Sequence, residues 1–588
     1  MKAVKKSGNK ANKTADNPAE RSAKIYALQN AVQYRGKAVM GAVIGKLFGE
    51  FPDLRKDAKS AQAIAAKAIA EVNKLSAEEQ KKNLDKLAPG ILNEKHEEKK
   101  QEPGLKQLKN AEKGKVVMRF EPSPSGSMHI GHSYPLMLNY EYCKIYDGKL
   151  VLRISDTNPD NIDPKAYKLL EEDFRWLCSG IKNEIVIQSD RMELYYETAL
   201  KLLEEGHAYI CSCTSEQFKE ISLKKSECPC RNLSMKENIL RWENMFDESK
   251  TTEGDAVLRL KTDMRHKNPA MRDFPLARIS DNTPHARTGK KYRVWPLLNF
   301  AVAVDDHLMG MTHVLRGKDH YDNTKRQEYI FDYLKWKLPE YLHIGRINFI
   351  GLALSASETR KAIEKGLFTG WDDIRLPFIQ ALKRRGYQRD AFLKYAKSVG
   401  VTMVDKTVPG GEFFKAINAF NKEIIDPRSK RYFFIENPVE IKIKNAPAMD
   451  VELHFHPEHM KGGRKFRVKD DFYLTGEDFD RFNKFEDGTM VRLMDCLNFK
   501  KKKNEYLFDS ADYEKYKKEG KLIIHWLPAE KHLPKAEICM PDGSKKIGLA
   551  EQGINKLNIG DIIQFERTGF CRLDSVNNDT FVFWFAHR

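Results

Sequence analysis

The sequence predicts a multidomain α/β protein that ends in a strand-rich region. Three observations carry this expectation. Residues 115–159 read strand, broken turn, helix, strand, which is one βαβ unit. Residues 23–92 repeat apolar side chains at helical spacing, and from Val439 onward short alternating runs replace that period. A chain of 588 residues is also too long for one core, so roughly three to five domains are expected.

Composition narrows the class. Lys+Arg 101 against Asp+Glu 83 leaves +18, a balance that suits a polyanionic partner but specifies none. No run reaches the roughly 18 apolar residues that span a bilayer, and the N-terminus lacks an apolar signal core. The nine cysteines are odd in number and dominated by one cluster, which argues against a disulfide framework and for a reducing compartment. A soluble cytoplasmic protein is expected, with no membrane contact.

Taken in order, residues 1–22 are rich in Lys, Asn and Ala without a hydrophobic period and read as a disordered basic tail. Over 23–92, Ile25, Leu28, Ala31 and Val32, then Ile64, Ala65, Ile69, Val72 and Leu75, mark a small helical domain without catalytic groups. Ser76-Ala77-Glu78-Glu79 resembles a capping box before its last helix. Residues 93–114, crowded with Lys and Glu around Pro103-Gly104, read as a solvated linker.

The βαβ unit follows. Val116 to Phe120 is a β-prone run, Glu121-Pro122-Ser123-Pro124-Ser125-Gly126 a broken turn, and His129-Ile130-Gly131-His132 opens an apolar-periodic helix. Lys149 to Ile154 is the second strand, ending at Asp156-Thr157-Asn158-Pro159. A helix N-terminus with free N–H groups favours an anion such as phosphate. Gly131 lets a flat ring or phosphate approach the backbone, and His129 and His132 can donate to phosphate oxygens as charge develops.

Arg119-Phe120-x-Pro122-x-Pro124-x-Gly126-x-x-His129-Ile130-Gly131-His132 resembles the signature of class I aminoacyl-tRNA synthetases of the glutamyl/glutaminyl branch. Leu152-Arg153-Ile154-x-Asp156-Thr157-Asn158-Pro159 carries the similarity toward the archaeal-type glutamyl enzymes, and it resumes over most of the chain. The resemblance implies a Rossmann-like catalytic domain over 115–350 with an acceptor-end insertion bearing a zinc knuckle over about 206–290. It implies a signature loop and connective helices over 351–434, and a β-barrel anticodon-binding region over 435–588. The helical residues 23–92 are similar to the family's N-terminal extension. Implied with these is ATP-dependent ligation of L-glutamate to tRNA(Glu) through a glutamyl-adenylate, with Mg²⁺, by a monomer. Pro122, Ser125, Gly126, His129, Gly131 and His132 would hold ATP, with Arg119, Ser123 and Arg316 on glutamate. Whether tRNA(Gln) is a second acceptor stays open.

Further along, Asp163 to Leu177 is helical, Ile185 to Arg191 a strand running into a turn, and Leu194 to Glu205 a helix. In the family, a segment like Asp190-Arg191-x-x-x-Tyr195-Tyr196 lies beside the catalytic cleft. Cys211-Ser212-Cys213 precedes Cys228-Pro229-Cys230 by fourteen residues. Two C-x-C pairs flanking a polar insert can meet as four thiolates around one tetrahedral zinc; four free thiols are the bland alternative. The strand-like Ala256 to Leu260 leads to an apolar run from Val294, closed by Asp305-Asp306, and then to Thr312 to Asp319. There Arg316 can aim a guanidinium into a cleft. Glutamyl enzymes resemble this chain in having arginine at the equivalents of Arg119 and Arg316; glutaminyl enzymes lack the second.

The family's second signature is a mobile loop whose lysine steadies the triphosphate. Leu352 to Lys361 is the candidate, with Ser355 and Ser357 as its catalytic serines. Glu358 stands where close relatives have lysine, with Arg360 or Lys361 as substitutes. Ser155 for an acid, Glu121 for a small residue or proline and Leu298 for a tyrosine are further departures. They leave open a slow enzyme or a tRNA-binding paralogue that does not ligate; glutaminyl-type specificity and a nucleotidyl transferase acting on a small molecule are the other rival readings.

Leu376 to about Phe420 reads as helical. From Val439 to Phe585 five alternating runs predict an all-β region of one or two barrels. Arg464-Lys465-Phe466-Arg467, Lys500 to Lys503 and Lys515 to Lys518 interleave cations with aromatics there, a combination that suits splayed RNA bases.

Overall fold

The computed structural model describes residues 18–33, 36–51, 54, 57–89, 105–281 and 283–588. Of the expected tail, residues 1–17, and of the expected linker, residues 93–104, lie outside these. The chain divides into two compact units, 1–102 and 103–588.

The first unit is helical: α1 (Pro18–Gln33), α2 (Met40–Glu50), α3 (Ala58–Val72) and α4 (Ala77–Leu87). Helix α1 starts inside the expected tail, because Pro18 suits the first helical position, where a missing N–H costs nothing. Its core is alanine-rich (Ala23, Ala27, Ala31, Ala65 and Ala68, with Leu28, Val43, Leu47, Val72 and Leu84), which lets the helices approach closely. The capping box forms: Ser76 accepts from Glu79 N while Glu79 accepts from Ser76 N.

The second unit opens with β1 (Val117–Phe120), α5 (Ile130–Ile145), β2 (Lys149–Ile154), α6 (Ala166–Leu177) and β3 (Lys182–Ile187). The three strands are parallel in the order β1-β2-β3. After α7 (Met192–Glu204) the chain leaves this layer as β4 (Ala208–Cys211), α8 (Ser215–Leu223), α9 (Met235–Asn244), β5 (Val257–Leu260), β6 (Pro275–Ile279) and β7 (Val294–Pro296). These four strands form one antiparallel sheet in sequence order. It returns through α10 (Leu298–Leu308), β8 (His313–Gly317), α11 (Tyr321–Tyr333) and β9 (Glu340–Ile344). Strands β8 and β9 are parallel, and Thr312 ties the segment to β1: its N donates to Val117 O at 3.0 Å and its hydroxyl accepts from Val117 N at 2.9 Å. The parallel strands thus fan out on both sides of β1, so groups at the C-terminal ends of β1, β2 and β8 converge on one crevice.

The connective region departs from its all-helical expectation. Between the helices Arg389–Val399 and Gly410–Ile425, strand Lys406–Pro409 pairs in parallel with Ile347–Ile350; four residues carry too little periodicity to stand out.

Beyond residue 430 two seven-stranded sheets form. In the first, the outer strands Arg431–Tyr432 and Phe434–Glu436 are halves of one stretch split at Phe433, so the sheet closes on itself. The second closes likewise through Gly520–Ile524 and Leu527–Pro528. Closure removes the unpaired edges that an open sheet exposes. The region is not purely β: the helices Gly476–Asn483 and Tyr513–Glu519 interrupt it. No helix among the described residues is long and apolar enough to cross a membrane.

Buried histidines make this fold acid-sensitive. His525 donates from Nε2 to Phe434 O at 2.7 Å and accepts at Nδ1 from Arg567. Burial, then the Arg567 charge, pushes its pKa down to about 4; burial takes His587 to about 4. The unfolded chain therefore binds protons below about pH 6.5 that the folded chain refuses. Stability falls as pH drops from 6.5 toward 4, by on the order of 1 kcal/mol per pH unit for each group. His129 and His132, lowered to about 2 and about 4 by burial, act in the same direction; Asp173, pushed up by burial to about 7, opposes this as one group against four. Thermal melts between pH 7.5 and 5 should show the decline, flattened in His525→Gln; equal melting temperatures across that range contradict it.

Candidate active site

The turn after β1 is shaped for close contact. His129 is the N-cap of α5, and its Nδ1 accepts from Gly131 N at 3.0 Å. His132 Nδ1 accepts from His129 N at 3.3 Å. With both Nδ1 atoms used as acceptors, each ring carries its proton on Nε2 and presents a donor. The rings stack 3.8 Å apart. Burial, with His132 as neighbour, lowers His129 to about 2, and burial lowers His132 to about 4. Both are neutral donors at physiological pH.

A Cβ on Gly131 would come within 2.8 Å of the His129 ring. The protein's own imidazole thus packs on the Cβ side of this glycine. At Gly126 a Cβ would overlap the Trp371 indole, which fills that gap. Asp173 anchors the turn, accepting from Ser127 Oγ at 2.8 Å, Met128 N at 2.9 Å and Gln380 Nε2 at 2.7 Å. Pro122 O accepts from Ser155 N and Pro124 O from Asp163 N. Ser125 is half-buried and Ser123 exposed.

Beside this turn lies a buried cluster of charge. Arg119 is paired bidentately with Asp306 through Nε and Nη2 (2.9 Å), and its Nη1 lies 3.0 Å from Glu121. Arg153 donates to Asp305 at 2.6 Å and to Ser155 Oγ at 2.7 Å. Arg191 (2.6 Å) and Tyr195 (2.6 Å) also donate to Asp305, which brings the expected cleft-side segment 190–196 to the site. Arg316 is different. Its Nη2 donates only to the neutral Thr324 Oγ1 (2.6 Å) and Gln327 Oε1 (2.9 Å), its Nε has no partner, and it forms no ion pair among the described residues. It lies 5.0 Å over the Tyr341 ring. Burial, then the like charge of Arg119, lowers its pKa. A buried guanidinium so placed is short of one anion.

Arg119 and Arg316, both expected to face an acidic ligand, thus meet in one cluster but differ: Arg119 arrives already paired. Asp305, Asp306, Arg153 and Tyr341 were missed as partners from sequence, although the two adjacent carboxylates ending an apolar run were the available signal. Leu298, at the start of α10, is 42% exposed.

The expected second mobile loop is a helix over much of its length. Helix α12 (Ala356–Glu364) has Ser355 as N-cap, accepting from Glu358 N at 3.3 Å, and Ser355 Oγ lies 3.3 Å from Ser357 Oγ. Glu358, expected as a repulsive intruder, is an exposed acid in the first turn, where the helix dipole favours it. Arg360 donates to Ile162 O at 3.3 Å, which ties α12 to the segment that contacts Pro124. Lys361 is exposed.

In the insertion, Cys211, Cys213, Cys228 and Cys230 place their sulfurs within 4.8 Å of one another. Cys211–Cys228 is 3.6 Å and Cys213–Cys228 3.4 Å. Zn–S bonds of about 2.3 Å in a tetrahedron require sulfurs about 3.8 Å apart, so the set is compatible with zinc.

In the strand-rich region one expected RNA-facing cation is corrected. Arg464 is 4% exposed, paired with Glu551 and Glu566 and stacked 4.4 Å over Phe433. Strand alternation turns it inward, whereas Lys465 and Arg467 are exposed.

Comparisons agree with this layout. Residues 115–427 match a family described as tRNA synthetases class I (E and Q), catalytic domain. Residues 429–514 and 523–574 match two anti-codon binding domains of the same class. A glutamate–tRNA ligase of Methanocaldococcus jannaschii is 43% identical over 568 residues, covering 96% of this chain and 99% of that one. One from Methanothermobacter thermautotrophicus is 42% identical over 96% of this chain and 98% of its own. One from Pyrococcus furiosus is 41% identical over 97% and 100%. The chain belongs to the class I (E and Q) tRNA synthetases, among the archaeal-type glutamate–tRNA ligases.

Proposed function

We propose that the chain ligates L-glutamate to tRNA(Glu), activating the amino acid with ATP as glutamyl-adenylate and then passing it to the terminal ribose. The observation that carries this reading is Arg316, a buried guanidinium without a carboxylate. Glutamate's side chain supplies the missing anion; glutamine's neutral amide would leave the charge uncompensated. Arg119, held by Asp306, stands beside it as a fixed second donor, and Ser123 borders the same turn.

Pro122, Ser125, Gly126 and Gly131 line the nucleotide's approach. His129 and His132 offer their Nε2–H donors to the α-phosphate, where charge grows as pyrophosphate leaves. Because both rings are neutral, they donate without giving up a proton. Mg²⁺ bound with ATP supplies charge neutralisation of the triphosphate. Ser355 and Ser357 present hydroxyls at the start of α12. Cys211, Cys213, Cys228 and Cys230 would hold a structural zinc, and the strand-rich region takes the anticodon arm, with exposed cations such as Lys465 and Arg467 on the hairpin of strands Met449–His456 and Met460–Val468.

Purified protein should catalyse ATP–pyrophosphate exchange with L-glutamate once tRNA is added, and should charge that tRNA. Exchange with L-glutamine instead reassigns the substrate. No exchange with any amino acid overturns the activity.

A further inference from the structure

The guanidinium cluster contains one acid whose hydrogen-bonding capacity is unspent. Asp305 has both oxygens taken, Oδ1 by Arg191 and Oδ2 by Arg153 and Tyr195. Asp306 has both taken by Arg119, and Ser155 Oγ accepts from Arg153. Glu121 stands apart. It lies 3.0 Å from Arg119 and 3.7 Å from Arg153, yet its Oε2 is buried without a hydrogen-bond partner. Its side chain keeps 16% of its surface open. Although burial acts to raise its pKa, Arg119, then Arg153 and Arg316, hold it below the usual range, so it stays charged.

Four guanidiniums (Arg119, Arg153, Arg191 and Arg316) therefore face three carboxylates (Glu121, Asp305 and Asp306), one positive charge over. An amino acid with an acidic side chain cancels that excess at Arg316. It then brings a second charge, its ammonium, into a pocket walled by cations. That ammonium needs an anion with a free acceptor, and Glu121 is the one the cluster offers.

We propose that Glu121 receives the substrate's α-ammonium and is thereby a specificity-determining residue of this chain. The inference rests on the reading that Arg316 takes the side-chain carboxylate. It assigns the substrate class more narrowly: a dicarboxylate bearing a free α-amine, held between Arg316 at one end and Glu121 at the other.

The test uses calorimetry with the full chain and tRNA, titrating L-glutamate and, as a probe without the amine, glutarate. Losing a charge-assisted hydrogen bond weakens binding by roughly 10- to 100-fold. Glu121→Gln, which keeps the shape and removes the charge, should weaken L-glutamate by that factor and leave glutarate unchanged. Glu121→Asp, which retains the charge, should lose less than Glu121→Gln. Equal weakening of both ligands makes Glu121 a brace for the arginines and overturns the proposal. Tighter binding of both makes it an occupant of the acid site and overturns it too. Melting temperatures of the variants exclude misfolding as the source of any loss. Amine-specific weakening in Glu121→Gln, together with a wild type that charges no tRNA, refutes the ligase reading alone.

Discussion

Replacing Arg316 with alanine lowers kcat/KM for L-glutamate in tRNA-dependent exchange by about a hundred- to a thousandfold, the usual consequence of removing one partner of a buried charge pair. The apparent KM for ATP should stay near its wild-type value, because in the proposed reading the nucleotide is held by His129 and His132 and not by Arg316. Arg316 is also a spacer: its Nη2 bonds to Thr324 and Gln327 fix α11 against β8. A melting curve must therefore accompany the kinetics. Arg316→Lys separates the two roles, keeping a cation but not the planar fork that meets a carboxylate with two parallel bonds. It should recover part of the loss without restoring full affinity. If the alanine variant instead loses ATP and glutamate equally, the guanidinium serves the scaffold and not the amino acid.

If the four thiolates hold zinc as proposed, Cys228→Ser should abolish metal binding and with it the order of the insertion. Cys228 is the sulfur closest to two others, and it lies next to the short turn Pro229–Asn232. The apolar cluster here is small: Tyr209, Phe218, Met264 and the cysteines themselves, with Ile221 and Leu233 packed against them. Metal binding in such a knuckle supplies an apparent 10–16 kcal/mol of folding free energy, roughly what the whole of a small domain has to spare. The expected result is one zinc per wild-type chain by atomic absorption. The serine variant should carry much less, and its insertion should melt below the rest of the chain. Chelation of the wild type should reproduce that transition. A metal-free wild type whose melting is unchanged by the substitution would leave four free thiols and no site.

Much of this protein was legible along the chain because the relevant physics is local. Strand β1, the broken turn and helix α5 follow from apolar spacing, prolines and a helix-opening histidine, all within a few residues of one another. The two C-x-C pairs lie close enough in sequence that their meeting was foreseeable. Ser76 and Glu79 cap α4 because the partners are three residues apart. Each of these depends on contacts that the backbone enforces wherever the segment sits.

The electrostatics were not readable in this way. Arg119 finds Asp306 across 187 residues, and Arg153 finds Asp305 across 152. No periodicity encodes which of several buried arginines is left without an acid. Glu358 reads along the chain only as a charge set against phosphate, whereas the fold also makes it the first-turn acid of α12, and Arg464 looked like an RNA contact until alternation turned it toward Glu551. Side-chain type and spacing set which groups are present; only packing distant strands together decides which charges cancel, and so leaves Arg316 as the guanidinium in need of an anion. Pair energies between buried charges depend on separation and desolvation, and neither quantity exists until the fold has closed around them.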